Sequence, residues 1–146
     1  MPYVTTAWKA IQELRKGNPR GLDSIIRFLE KDEYRFGSGY LKEYCWHYLK
    51  RASLTESQKH RLRQVALEYL HKRMKREFWY MCRFIRRIKE ESFRAEVEHL
   101  TNSSQSGVRK RASLLKSYLE SPETGERMRK KFHRECLDDK YNRQSA

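Results

Sequence analysis

Proline and glycine are scarce, three and six in 146 residues. They fall where breaks are wanted, in "GNPRG", "FGSG", "QSGV" and "SPETG". Apolar residues between those breaks recur at three and four rather than at two, which excludes a strand-built fold and predicts helices throughout. Cysteine is nearly absent as well. Cys45, Cys82 and Cys136 are an odd set in helical patterns, so free thiols in a reducing, cytoplasmic compartment (nuclear in a eukaryote) are expected rather than a disulfide framework. No long apolar run exists and the N-terminus has no apolar signal core, so no membrane insertion is expected. A lone sequon, Asn102-Ser103-Ser104, means little without export. There is no P-loop, GxSxG, HExxH or Gly-rich dinucleotide turn, so no catalytic residue and no cofactor is assigned and the chain is read as not an enzyme. Glu96 and Glu98 point to different helix faces and make no carboxylate pair. His133 and Cys136 stand at i and i+3, but nothing completes a four-ligand zinc set, so no metal is assigned.

Acidic residues are also short: 33 Lys plus Arg face 19 Asp plus Glu, a net charge of +14. With a mean hydropathy of -1.02, such a charge alone would fit disorder. Three Trp, nine Tyr and six Phe argue instead for a folded domain with a real core. The surplus concerns partners, not fold, and selects for nucleic acid, an anionic surface or an acidic protein. It is uneven: residues 1–33 carry +1, residues 34–102 carry +8, and residues 103–146 carry +5.

The walk along the chain predicts one helical domain over residues 1–138 and a frayed tail over 139–146, "DKYNRQSA". A first helix runs from about Thr5 to Lys16, and a second carries Leu22, Ile25, Ile26 and Leu29. After "DEYRFGSG", a third places Tyr40, Leu41, Tyr44, Cys45, Tyr48 and Leu49 on a wide apolar arc. Thr55 and Gln58 form a capping box that starts a fourth. No Gly or Pro occurs between Thr55 and Asn102, yet the stripe of Leu62 and Tyr69 is out of phase with that of Phe78, Met81, Ile85 and Ile88. A break near His71 to Arg76 is therefore predicted. A short helix holds Phe93, Val97 and Leu100, another holds Val108, Ala112, Leu115 and Leu119, and a last one starts at Pro122.

The segment "GVRKRASLLKSYLES" resembles the second-helix pattern of HEAT-type repeats, and "LRQVALEYLHKR" echoes it. Trp8, Trp46 and Trp79 recur at spacings of 38 and 33, close to that period. The resemblance covers about two helices. The walk along the chain gives seven or eight helices joined by short polar loops, read as stacked antiparallel hairpins in an α-solenoid or irregular bundle; the resemblance favours the solenoid and implies a binding scaffold rather than chemistry.

The segment "KRMKREFWYMCRFIRRIKEE", residues 72–91, concentrates the charge, with a local excess of +7 through Lys89. On a helical wheel Met74, Phe78, Met81, Cys82, Ile85 and Ile88 form a core stripe, opposite Lys72, Arg73, Lys75, Arg76, Arg83, Arg86 and Arg87. Trp79 falls within the basic face, with Tyr80 on its flank. Either a neighbouring helix covers Trp79, or Trp79 and Tyr80 are stacking platforms while the arginines hold phosphates. The leading expectation is a nucleic-acid surface, RNA or DNA, of Lys72, Lys75, Arg76, Trp79, Tyr80, Arg83, Arg86 and Arg87, extended by Lys110 and Arg111 and by basic residues of the last helix. The alternative is a scaffold for an acidic protein partner, which gains if Trp79 is buried. Peripheral lipid binding would need exposed apolar residues, and the stripes look committed to a core. Finally "KRASL" occurs twice, at residues 50–54 and 110–114, and resembles a basophilic kinase site. Ser113 mid-helix and Ser53 beside a cap favour chance repetition in so basic a chain.

Overall fold

A computed structural model describes the backbone of residues 2–33 and 38–145 and the side chains of residues 6–33 and 38–136. Its elements are α1 (Pro2–Arg15), α2 (Leu22–Lys31), α3 (Ser38–Leu49), α4 (Glu56–Leu70), α5 (Phe78–Ile85), a 3-10 turn (Arg86–Ile88), α6 (Glu91–Leu100), α7 (Ser106–Glu120) and α8 (Pro122–Ser145). No strand occurs among the described residues, so the all-α expectation holds. α8 is helical to Ser145, while the side chains that would test a frayed tail lie outside the described residues.

Local signals account for most boundaries. Gly21 caps the start of α2 with φ 87°, where a Cβ would also meet the Ala10 Cβ at 2.9 Å. Glycine is required there on both counts. Thr55 Oγ1 accepts from the Gln58 amide at 3.1 Å, and the Thr55 amide donates to Gln58 Oε1 at 2.9 Å, completing the capping box. The predicted break is present: α4 stops at Leu70 and α5 begins only at Phe78. That change of direction lets Leu62 and Tyr69 share a core with Phe78, Met81 and Ile85 despite their difference in phase.

The helices pack in two adjoining rows. α1, α3 and α5 follow one another in the first; α2 and α4 lie side by side in the second, α1 against α2 and α4 against α5. α7 closes the far end against both α4 and α5, flanked by α6 and α8. The core runs through the whole stack, with Trp46 edge-on to Tyr69 and tilted against Phe84. At roughly 25 cal/mol per Å² of apolar surface removed from water, burial of this kind dominates the stability.

Two sequence expectations need correction. Tyr40 and Tyr44 are not core residues: they are 55% and 46% exposed, and α3 buries Leu41, Cys45, Trp46, Leu49 and, unexpectedly, Lys42. Lys42 is tolerated because its ammonium donates to Asp32 at 2.5 Å and to the Glu33 carbonyl at 3.1 Å. The second correction concerns the basic run, which is not one helix. Lys72, Lys75 and Arg76 lie in the connection before α5, and Arg86 and Arg87 lie in the 3-10 turn after it.

Candidate nucleic-acid interface

The residues expected to form a binding surface are dispersed by the fold. Lys72 and Lys75 both donate to Asp32, whose carboxylate also holds Lys42. Arg76 pairs with Glu43 at 2.5 Å and lies over the Tyr40 ring, 3.6 Å from its centroid. Arg83 reaches Glu126 on α8 at 2.8 Å. Burial raises the Glu126 pKa, but hydrogen bonds from Arg83 and Arg129 outweigh it and hold the carboxyl at about 2.

Several basic side chains serve as caps for helix C-termini, where unpaired carbonyls and the macrodipole attract cations. Arg86 Nε donates to the Tyr118 carbonyl at 3.3 Å and Lys89 Nζ to the Leu119 carbonyl at 2.9 Å, both at the end of α7. Arg111 Nε donates to the Leu70 carbonyl at the end of α4 at 3.0 Å. Lys110 is 3.5 Å from Glu135 and sits over Phe132, joining α7 to α8.

Trp79 is 8% exposed. Its ring packs against Phe78, Tyr118, Phe132 and His133, with α8 covering the side that a wheel diagram leaves open. It is therefore a core residue and no stacking platform, which corrects the expectation placed on it. His133 is engaged in this packing, and no group of three or more His, Cys, Asp or Glu comes within metal-holding range among the described residues.

Tyr80, Arg83 and Arg87 do belong to an open surface, but the other half of it comes from α1 and α3. An unbroken aromatic ladder crosses the first row of helices. Trp8 meets Tyr44 at 5.9 Å, Tyr44 lies nearly parallel to Tyr48 at 6.4 Å, Tyr48 meets His47 at 4.9 Å, and His47 meets Tyr80 at 6.5 Å. Trp8 is 42% exposed, so the ladder opens to solvent at that end. Cations lie over these rings: Arg15 and Arg51 over Tyr48, and Arg83 over Tyr80.

Where the ladder ends, a cleft of about 360 Å³ is lined by His47, Lys50, Tyr80, Arg83 and Arg87 over a floor of Trp46 and Phe84. A second depression of about 390 Å³ shares Lys50, Phe84 and Arg87 with it and adds Ser53, Leu54 and Lys59. No Asp or Glu lines either one. Burial lowers the His47 pKa first, and the charges of Lys50 and Arg51 lower it further, so the imidazole is neutral at physiological pH. Lys50, Lys59 and the rings of α1 and α3 beside them are what the sequence reading missed. The signal lay in α3, where the tyrosines at 40, 44 and 48 widen the apolar arc beyond what one buried stripe needs.

Neither a protein-family model, nor a curated protein, nor a solved structure matches this chain.

Proposed function

We propose that this protein is a non-catalytic helical module that binds single-stranded nucleic acid along the face made by α1, α3 and α5. The observation that carries the proposal is the ladder Trp8–Tyr44–Tyr48–His47–Tyr80 leading into clefts lined by no Asp or Glu, where Lys50 and Arg87 pair with no carboxylate among the described residues and Lys59 pairs only with its helix neighbour Glu56. Unstacked bases can lie on tyrosine or indole faces, each worth roughly 1–3 kcal/mol, while the cations take the backbone phosphates. A duplex hides its base faces and would meet only the charges. Two rows of successive helices, α1–α3–α5 beside α2–α4, also support a hairpin-repeat scaffold of the HEAT type.

A second reading keeps the same face but gives it an acidic protein segment. The burial of Trp79 favours it, and exposed Trp, Tyr and Arg are common interface anchors. Fluorescence polarisation with a labelled single strand and the matching duplex, across a salt series, separates the two. Single-strand binding should weaken at least tenfold in Tyr44→Ala and in Lys50→Glu/Arg87→Glu, and remain in Lys110→Glu. With about three phosphate contacts the slope of log affinity against log salt should be near -2. No binding at low salt, or loss only in Lys110→Glu, would turn attention to the acidic protein partner.

A further inference from the structure

The two "KRASL" segments are identical in sequence and unlike in structure. Ser113 lies mid-helix in α7, where its backbone is fixed by the helical ladder. Ser53 lies in the connection between α3 and α4, exposed, and its hydroxyl makes no hydrogen bond with the described residues. Lys50 and Arg51, three and two residues before it, are exposed as well. A kinase must lay its substrate out as accessible, extended chain, and exposed loop tips supply that while helix interiors do not.

We propose that Ser53 is a phosphorylation site for a basophilic serine/threonine kinase, and that its phosphate seats in the cleft formed by Lys50, Lys59 and Arg87. In the transfer, Ser53 Oγ bonds to the γ-phosphorus of ATP, the bond from that phosphorus to ADP breaks, and the hydroxyl proton passes to the kinase's base. The product carries about -1.5 to -2 charges. Ser53 itself lines the depression with those three cations, and among the described residues the one carboxylate paired to any of them is Glu56, 3.2 Å from Lys59. The site also stands two residues before Thr55, the cap of α4, and so lies near the positive end of that helix. One modification thus offsets half or more of the positive charge that the nucleic-acid reading assigns to this cleft, and that consequence rests on that reading.

The test uses the intact protein, a basophilic kinase and radiolabelled ATP, with Ser53→Ala and Ser113→Ala variants. One phosphate should be incorporated, lost in Ser53→Ala and retained in Ser113→Ala. Phosphorus NMR should then show a second phosphate pKa below that of the same phosphorylated peptide free in solution, returning to it in Lys50→Ala/Arg87→Ala. Absence of incorporation, labelling at Ser113, or a phosphate that titrates like the free peptide's would each overturn the proposal. Single-strand affinity should fall at least tenfold on phosphorylation. If Ser53 is labelled and its phosphate is held but the unmodified protein binds no nucleic acid, the modification site stands and the nucleic-acid reading falls.

Discussion

Asp32 is the residue whose removal should cost most for its size. It ends α2 in the left-handed conformation, φ 48° and ψ 40°, and its side chain is 3% exposed. Its carboxylate holds Lys42 from α3 together with Lys72 and Lys75 from the connection before α5, so one anion ties three separate segments. Burial raises its pKa, but the three ammonium groups outweigh that and bring it to about 2 from an ordinary 3.8. At 1.36 kcal/mol per pH unit, this difference contributes about 2.5 kcal/mol to stability. Because the folded-state value is depressed, the contribution is complete above the ordinary carboxyl range and disappears as pH falls from about 4 towards 2. Deleting the carboxylate is worse than protonating it. Asp32→Ala leaves Lys42, 1% exposed, with the Glu33 carbonyl as its one remaining acceptor among the described residues. A buried charge so orphaned costs about 3–5 kcal/mol. Urea unfolding followed by circular dichroism should show that loss at pH 7. A loss below about 1 kcal/mol at pH 7 would refute the assignment of Asp32 as the hub.

Three further outcomes are expected. Trp79→Ala should destabilise by about 3–5 kcal/mol in urea unfolding, yet leave single-strand affinity within twofold in the cold, folded variant. Gly125→Ala would place a Cβ into the buried Tyr118 ring; a loss of about 1–3 kcal/mol is expected, partly restored by Tyr118→Leu in the same chain. His47, with its pKa lowered by burial and by Lys50 and Arg51, should gain a proton more readily once a phosphate enters its cleft. Binding should therefore strengthen as pH falls through the bound-state value. His47→Gln should flatten that dependence, and polarisation titrations at several pH values report it.

Much of the fold was legible because the signals were local. The capping box at Thr55 and Gln58 needs only four residues, and the phase mismatch between Tyr69 and Phe78 needs only a count along the chain. Trp79 was harder. A wheel places it among arginines, but α8 brings Phe132 to within 5.5 Å of it from more than fifty residues away, and no local pattern announces that cover. The burial of Lys42 has the mirror cause: a lysine reads as surface unless Asp32 is known to wait beneath it. The tyrosines of α3 share one wide apolar arc with Leu41, Cys45 and Leu49, and only the positions of α1 and α5 decide which edge of that arc stays open.

The same packing explains why a large net charge does not by itself define a binding surface. Between residues 72 and 89, Lys72 and Lys75 answer Asp32, Arg76 answers Glu43, Arg83 answers Glu126, and Arg86 and Lys89 cap α7. Arg73 is engaged too. What this leaves beside the aromatic ladder is Arg87, joined by Lys50, which come from different elements and were never neighbours in sequence. Helix ends and buried carboxylates claim cations first, because an unmet carbonyl or charge inside the fold costs more than a solvated ammonium outside it. A polyanion can then recruit only cations that the fold does not need. Charge reversal at Lys50 and Arg87 should accordingly abolish binding with little change in stability, whereas reversal at Arg86 or Lys89 should do the opposite.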